Sequence, residues 1–115
     1  MLPTIEWNDS GVVMIDQRKL PGVEIYVTCK SAKEVAKAIK TMVIRGAPAI
    51  GVAAGMGLAL GVRQSTATGT TKLAGEFYKL CEMMGDTRPT AVNLFWAIDR
   101  MKGVFADHAL ALLMT

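Results

Sequence analysis

Between Arg45 and Arg63 the chain carries no charged side chain, and the uncharged stretch Gly46 to Val62 is built largely from Gly and Ala. It constrains the fold more than any other feature. A bilayer-spanning helix needs about 20 strongly apolar residues. This stretch is shorter, is diluted by weakly hydrophobic Gly and Ala, and contains Pro48. It therefore reads as a buried central helix that begins near Pro48. Its glycines recur at Gly51/Gly55 and Gly57/Gly61. Small residues at that spacing let neighbouring backbones come close.

The rest of the chain is organised around that helix. Ile5 to Trp7 is short and apolar, Asn8-Asp9-Ser10-Gly11 is a turn cluster, and Val12 to Ile15 is a continuous apolar run. Leu20-Pro21-Gly22 marks a second turn. Val23, Ile25, Val27 and Cys29 then alternate with Glu24, Tyr26, Thr28 and Lys30, the period-2 pattern of a half-buried strand. Together these predict a small antiparallel meander over residues 1–30. Residues 31–115 read as a bundle of about four helices. Ser31-Ala32-Lys33-Glu34 is a capping box, with Val35, Ile39, Met42 and Val43 at helical spacing. Gly46 is expected to end that helix as a left-handed cap. Ser65 to Thr71 reads as a loop. Leu73, Phe77, Leu80 and Met84 mark a third helix ending at Gly85. Pro89 is placed near the first position of a fourth, whose apolar side is Val92, Phe95, Trp96 and Met101 and which Gly103 should interrupt. The chain of 115 residues and 12.3 kDa, 51% hydrophobic and 20% charged, has room for one α+β domain. A domain of this size buries roughly 65% of its unfolded surface and needs neither disulfides nor a metal.

Several function classes are excluded or unsupported. A net charge of +3 suits any anion and selects none. Aromatics make up 6% of the chain and do not interleave with Lys or Arg, so a stacking surface for nucleic acid has no support. Cys29 and Cys81 are far apart and form no CxxC motif, and His108 is the single histidine. A zinc site is therefore not expected. Both cysteines read as packing residues, and free thiols suit a reducing cytoplasm. There is no Walker loop and no GxSxG elbow. Asp99 and Arg100 read as solvated charges, and His108 as exposed or structural.

Two segments share one chemical logic. Arg45-Gly46-Ala47-Pro48 leads into the second predicted helix, and Arg88-Pro89-Thr90 leads into the fourth. A helix N-terminus presents unpaired amides and a partial positive charge. Arginine adds a planar, permanently charged fork that matches phosphate. If the two helix starts converge, Arg45, Arg88 and the amides of Gly46 and Ala47 form a phosphate clamp without a metal. The competing reading is that each arginine caps carbonyls or pairs with an acid such as Asp86.

These segments also carry a resemblance. The segment from Met42 through Arg45-Gly46-Ala47-Pro48 to Gly55 resembles a signature of the methylthioribose-1-phosphate isomerases, and the segment from Thr87 through Arg88-Pro89-Thr90 to Met101 resembles a second one. The resemblance extends to about Lys102. It implies an aldose–ketose isomerase of methionine salvage that converts 5-methylthioribose 1-phosphate to 5-methylthioribulose 1-phosphate without a cofactor or metal. In that family a cysteine and an aspartate do the chemistry, and both lie in a Rossmann-like C-terminal domain. Neither Cys29 nor Cys81 matches that cysteine, so no catalytic residue is expected in this chain. What carries over is binding of the substrate phosphate by Arg45, Gly46, Ala47 and Arg88; Asn93 is assigned no more than a structural hydrogen bond.

The chain ends on the apolar run Ala109 to Met114 followed by Thr115. The expectation is therefore the N-terminal domain of a two-domain isomerase, truncated at its C-terminal end and inactive alone. The implied partner is a small sugar phosphate, with no nucleic acid, no membrane, and a homodimer at full length. Two alternatives stay within the wider superfamily: a sugar-phosphate- or nucleotide-binding regulatory subunit related to translation-initiation exchange factors, and a ribose-1,5-bisphosphate isomerase. A third is a freestanding helical adaptor that packs its Gly/Ala helix on a partner.

Overall fold

Three strands form an antiparallel sheet in the order β1-β2-β3: β1 (Ile5–Asn8), β2 (Gly11–Ile15) and β3 (Tyr26–Cys29). The computed structural model describes residues 5–22, 24–44 and 46–113. Asn8 pairs with Gly11 across the first turn, and the Asn8 side chain accepts a hydrogen bond from the Ser10 amide at 2.8 Å. Gly11 adopts φ 136° beneath the Cys29 carbonyl, where any side chain would collide. The central strand β2 is covered, with Val12 and Met14 fully buried. Edge strand β1 is mostly exposed. The expected meander is present, although β3 starts only at Tyr26.

Four helices follow: α1 (Ala32–Lys40), α2 (Ala47–Gln64), α3 (Thr70–Gly85) and α4 (Val92–Leu113). The start of α1 obeys its capping sequence. The Ser31 hydroxyl accepts from the Glu34 amide at 3.2 Å, while the Glu34 carboxylate reaches back to the Lys30 amide at 2.9 Å. Its end differs from expectation. The helix stops at Lys40, and the left-handed residue that closes it is Met42, with φ 66°, four residues before Gly46. The Met42 amide donates to the Ile39 carbonyl at 3.3 Å and the Val43 amide to the Ala38 carbonyl at 2.9 Å. That is the paired hydrogen-bond pattern of a Schellman end. Val43 and Ile44 are thereby turned into the core, both nearly fully buried.

Helix α2 lies at the centre and touches α1, α3, α4, β1 and β2. Ile50, Ala53, Ala54, Leu58 and Leu60 are buried on it. Its glycines mark close approaches. A Cβ at Gly57 would lie 2.8 Å from Val35 Cγ1, and one at Gly61 would lie 2.5 Å from Leu80. At Gly51 it would lie 3.4 Å from the Asn93 carbonyl of α4. No helix among the described residues is long and apolar enough to cross a membrane.

Helix α4 corrects two expectations. It runs through Gly103 without a break, since a single exposed glycine costs only about 1 kcal/mol in a helix and the flanking residues favour the helix. Its buried residues are Leu94, Ala97 and Ile98, whereas Val92, Phe95 and Trp96 are exposed, Trp96 by 64%. Its first turns are apolar nearly all round, so periodicity could not choose a face. Packing did: Ala97 is small enough to sit against Gly51. Phe105 stacks on Phe77 of α3 with ring centroids 4.3 Å apart.

Candidate functional site

Two interhelical junctions define the site. At the first, Gly46 is the N-cap of α2 with φ 96° and provides no side-chain cap. Glycine is free to adopt that angle, and a Cβ there would meet nothing within 4 Å. The Gly46 carbonyl accepts from the Ile50 amide at 3.0 Å. The amides that open α2 therefore have no partner inside the helix. Pro48 stands within the first turn, where its missing N–H is harmless. The left-handed conformation expected of Gly46 is thus present, but it opens α2 and does not close α1.

At the second junction, α3 ends at Gly85, with Asp86 in right-handed helical geometry as its cap. Gly85 is a packing residue: a Cβ there would lie 3.1 Å from Phe95 of α4. The Thr87 hydroxyl donates to the Met84 carbonyl at 2.6 Å. Arg88 then opens a turn closed by the Ala91 amide donating to the Arg88 carbonyl at 3.0 Å. Pro89 occupies the second position of that turn, where its fixed φ is favoured. It therefore precedes α4 and is not part of its first turn. The Ala91 carbonyl receives the first helical hydrogen bonds, from Leu94 and Phe95.

The two junctions meet. Gly46 and Arg88 line one cavity of about 410 Å³, together with Met42, Ile50, Ala91, Val92 and Asn93. This lies within the range of small-molecule sites. A cavity of equal size between β3 and α1 includes Arg18 and Thr28, so size does not single out the first. Convergence of both arginine-bearing segments does. The close approach of α2 and α4 at Gly51 and Asn93 explains it. Among the described residues the ion pair is Arg18–Asp16, and Arg88 does not pair with Asp86. Arg88 is half-buried, lines the cavity and is paired with no acid among the described residues. Arg45 lies outside the described residues, and Ala47 enters only as the first residue of α2. Met42, Ile50 and Asn93 were not singled out as ligand contacts by the sequence. The usable signal was their position inside the two long motifs.

The other titratable groups stand apart from this cavity. Cys29 and Cys81 are free and buried. Burial pushes the Cys29 thiol up to about 11, with the Glu34 charge adding to it. Cys81 is raised as well, mainly by burial. Neither is a thiolate at neutral pH, and thiolate is the nucleophilic form. Asp16 is buried, and Arg18 grips it through Nε at 2.9 Å and Nη2 at 2.8 Å. That side-chain hydrogen bond holds the Asp16 carboxyl below its ordinary value, against the effect of burial. His108 is exposed on α4. No group of His, Cys, Asp and Glu among the described residues could hold a metal ion.

The chain as a whole is similar to known proteins. Residues 43–111 match the model of the initiation factor 2 subunit family. The chain is 57% identical over 107 residues to a methylthioribose-1-phosphate isomerase of Koribacter versatilis, covering 93% of this chain and 30% of that protein. It is 58% identical over 105 residues to the Geobacter sulfurreducens protein of the same name, covering 91% and 30%. The crystal structure of 5-methylthioribose 1-phosphate isomerase from Pyrococcus horikoshii superimposes with a TM-score of 0.90 at 45% identity, over 95% of this chain and 31% of that one. Translation initiation factor eIF-2B subunit delta from A. fulgidus gives a TM-score of 0.81 at 34% identity, over 97% and 36%. The chain thus spans 30% of the length of the curated relatives it matches.

Proposed function

The chain belongs to the initiation factor 2 subunit family, and from that premise we propose that it is the phosphate-gripping part of a 5-methylthioribose-1-phosphate isomerase. The observation that carries this reading is the meeting of Gly46 and Arg88 in one cavity. The relatives at 57% and 58% identity bear the isomerase name. Arg88 supplies the charged fork, and the opening amides of α2, at Gly46 and Ala47, donate to the phosphate oxygens. Arg45, adjacent to Gly46 in the chain, is the second cation of this proposal.

Interconversion of an aldose 1-phosphate and a ketose 1-phosphate also moves hydrogen between C1 and C2, which requires an acid–base group at those carbons. The described part of this chain offers none beside the cavity. Cys29 and Cys81 are buried and protonated. The role assigned here is therefore binding and orientation, with proton transfer supplied by residues beyond this chain. We place the whole protein in the cytoplasm as a homodimer; the two free thiols suit the compartment. The family and the eIF-2B delta likeness also support a second reading, a ligand-binding regulatory subunit. The lower identity of that neighbour, 34% against 57%, favours the isomerase.

Titration of the chain with inorganic phosphate and with 5-methylthioribose 1-phosphate, followed on the backbone amides by NMR, tests the reading. Saturable shifts are expected at Gly46, Ala47 and the Arg88 turn. Arg88→Ala should weaken binding about 10- to 100-fold, the scale of a lost charge-assisted hydrogen bond. Absence of binding, or binding indifferent to Arg88, would overturn it.

A further inference from the structure

Met42 is the described non-glycine residue with positive φ, at 66°. A left-handed backbone costs an L-residue roughly 1–2 kcal/mol. The Schellman end of α1 requires that conformation at this point, but requires no side chain there. Glycine would satisfy it without steric cost. The methionine does not repay the strain by filling the core: its side chain is 42% exposed and it stands outside the buried cluster. Strain retained at a residue that contributes no packing points to a role in a site.

The position of Met42 says what that role is. It lines the same cavity as Gly46 and Arg88. The cavity wall is chemically mixed. Arg88, Asn93 and the Gly46 backbone are polar, whereas Met42, Ile50, Ala91 and Val92 are apolar. A ligand that matches this wall carries both an anionic group and an apolar group. Methionine is suited to the apolar group, because its unbranched, polarisable thioether adapts to irregular shapes. Resting on the phosphate-binding reading above, we propose that Met42 is the specificity residue for the apolar alkylthio substituent of the sugar phosphate. It contacts that substituent directly, and the left-handed backbone holds its side chain at the cavity.

The test compares three probes on the 115-residue chain: 5-methylthioribose 1-phosphate, ribose 1-phosphate and inorganic phosphate. Met42→Gly and Met42→Asn both accept positive φ, so thermal unfolding should show them at least as stable as the parent. Their preference for methylthioribose 1-phosphate over ribose 1-phosphate should fall about 10-fold or more, the range a small apolar contact supplies. Their inorganic phosphate affinity should not change. Met42→Leu should retain most of the preference. With 13C-methyl-labelled methionine, the resonance lost in Met42→Leu should shift with the methylthio sugar and stay put with inorganic phosphate. An unchanged preference in Met42→Gly and Met42→Asn, or a parent chain that binds both sugars equally, overturns this inference alone. A parent chain that binds none of the probes overturns the phosphate reading and this inference with it.

Discussion

The two walls of the cavity are built by opposite means. The α1–α2 junction uses left-handed backbone twice, at Met42 with φ 66° and at Gly46 with φ 96°. The α3–α4 junction uses ordinary conformations secured by hydrogen bonds: Thr87 Oγ1 and its amide to the Met84 carbonyl, then the Ala91 amide to the Arg88 carbonyl. The first wall therefore presents backbone amides, and the second presents a long charged side chain. Amides must be aimed by the main chain itself, so that wall bears backbone strain. A guanidinium can be aimed by its own rotamers, so a relaxed turn suffices.

The sharpest way to break this contrast is to impose a side chain on the strained wall. The Cβ that Gly46→Ala adds meets no neighbour within 4 Å, so its cost is conformational. Urea unfolding should show a loss of about 1–2 kcal/mol, and phosphate binding should fall with it. A loss well below that would mean the junction relaxes and that φ 96° is not required.

The relaxed wall should respond to a hydrogen bond and not to strain. Thr87→Val keeps the branched shape and removes the hydroxyl that caps Met84. The expected loss is about 0.5–1.5 kcal/mol, with little change in phosphate affinity, since the amide-bearing wall is untouched. A larger effect on binding than on unfolding would show that this turn, too, is held near a limit.

The smallest and most local effect concerns acid. The Gln17 amide donates to the Val43 carbonyl at 2.7 Å, so the Asp16–Arg18 turn braces the first wall and not the second. Asp16 has its carboxyl held below the ordinary value of 3.8, chiefly by the hydrogen bond from Arg18. Its contribution is thus complete above about pH 4 and is lost as pH falls through the lower folded value. The protection of the Gln17 amide against exchange, relative to its intrinsic rate, should fall below pH 4 while that of the Ala91 amide does not. Asp16→Asn should remove that difference between the walls.

Some of this was legible from local chemistry. The capping box at Ser31 and Glu34 started α1 where expected, because its partners sit within three residues of one another. The buried character of α2 followed from the missing charges. The end of α1 is not legible locally, because glycine is the default left-handed residue and only the hydrogen bonds from Met42 and Val43 show that a methionine takes the role. The buried face of α4 is not legible locally either, because Val92, Leu94, Phe95, Trp96, Ala97 and Ile98 are all apolar or small. Local periodicity held no preference among them.

By itself the sequence determined which residues could serve an anion, Arg45, Gly46, Ala47 and Arg88, and that a Gly/Ala helix would run through the core. These depend on residue chemistry and on spacings of a few positions. Only the tertiary structure decided that Gly46 and Arg88 share a cavity and that Met42 stands beside them. Residues so far apart in the chain meet because Gly51 lets α2 approach the Asn93 carbonyl and Ala97 of α4 closely. No local pattern encodes that distance; it is set by which side chains pack when the helices close on one another.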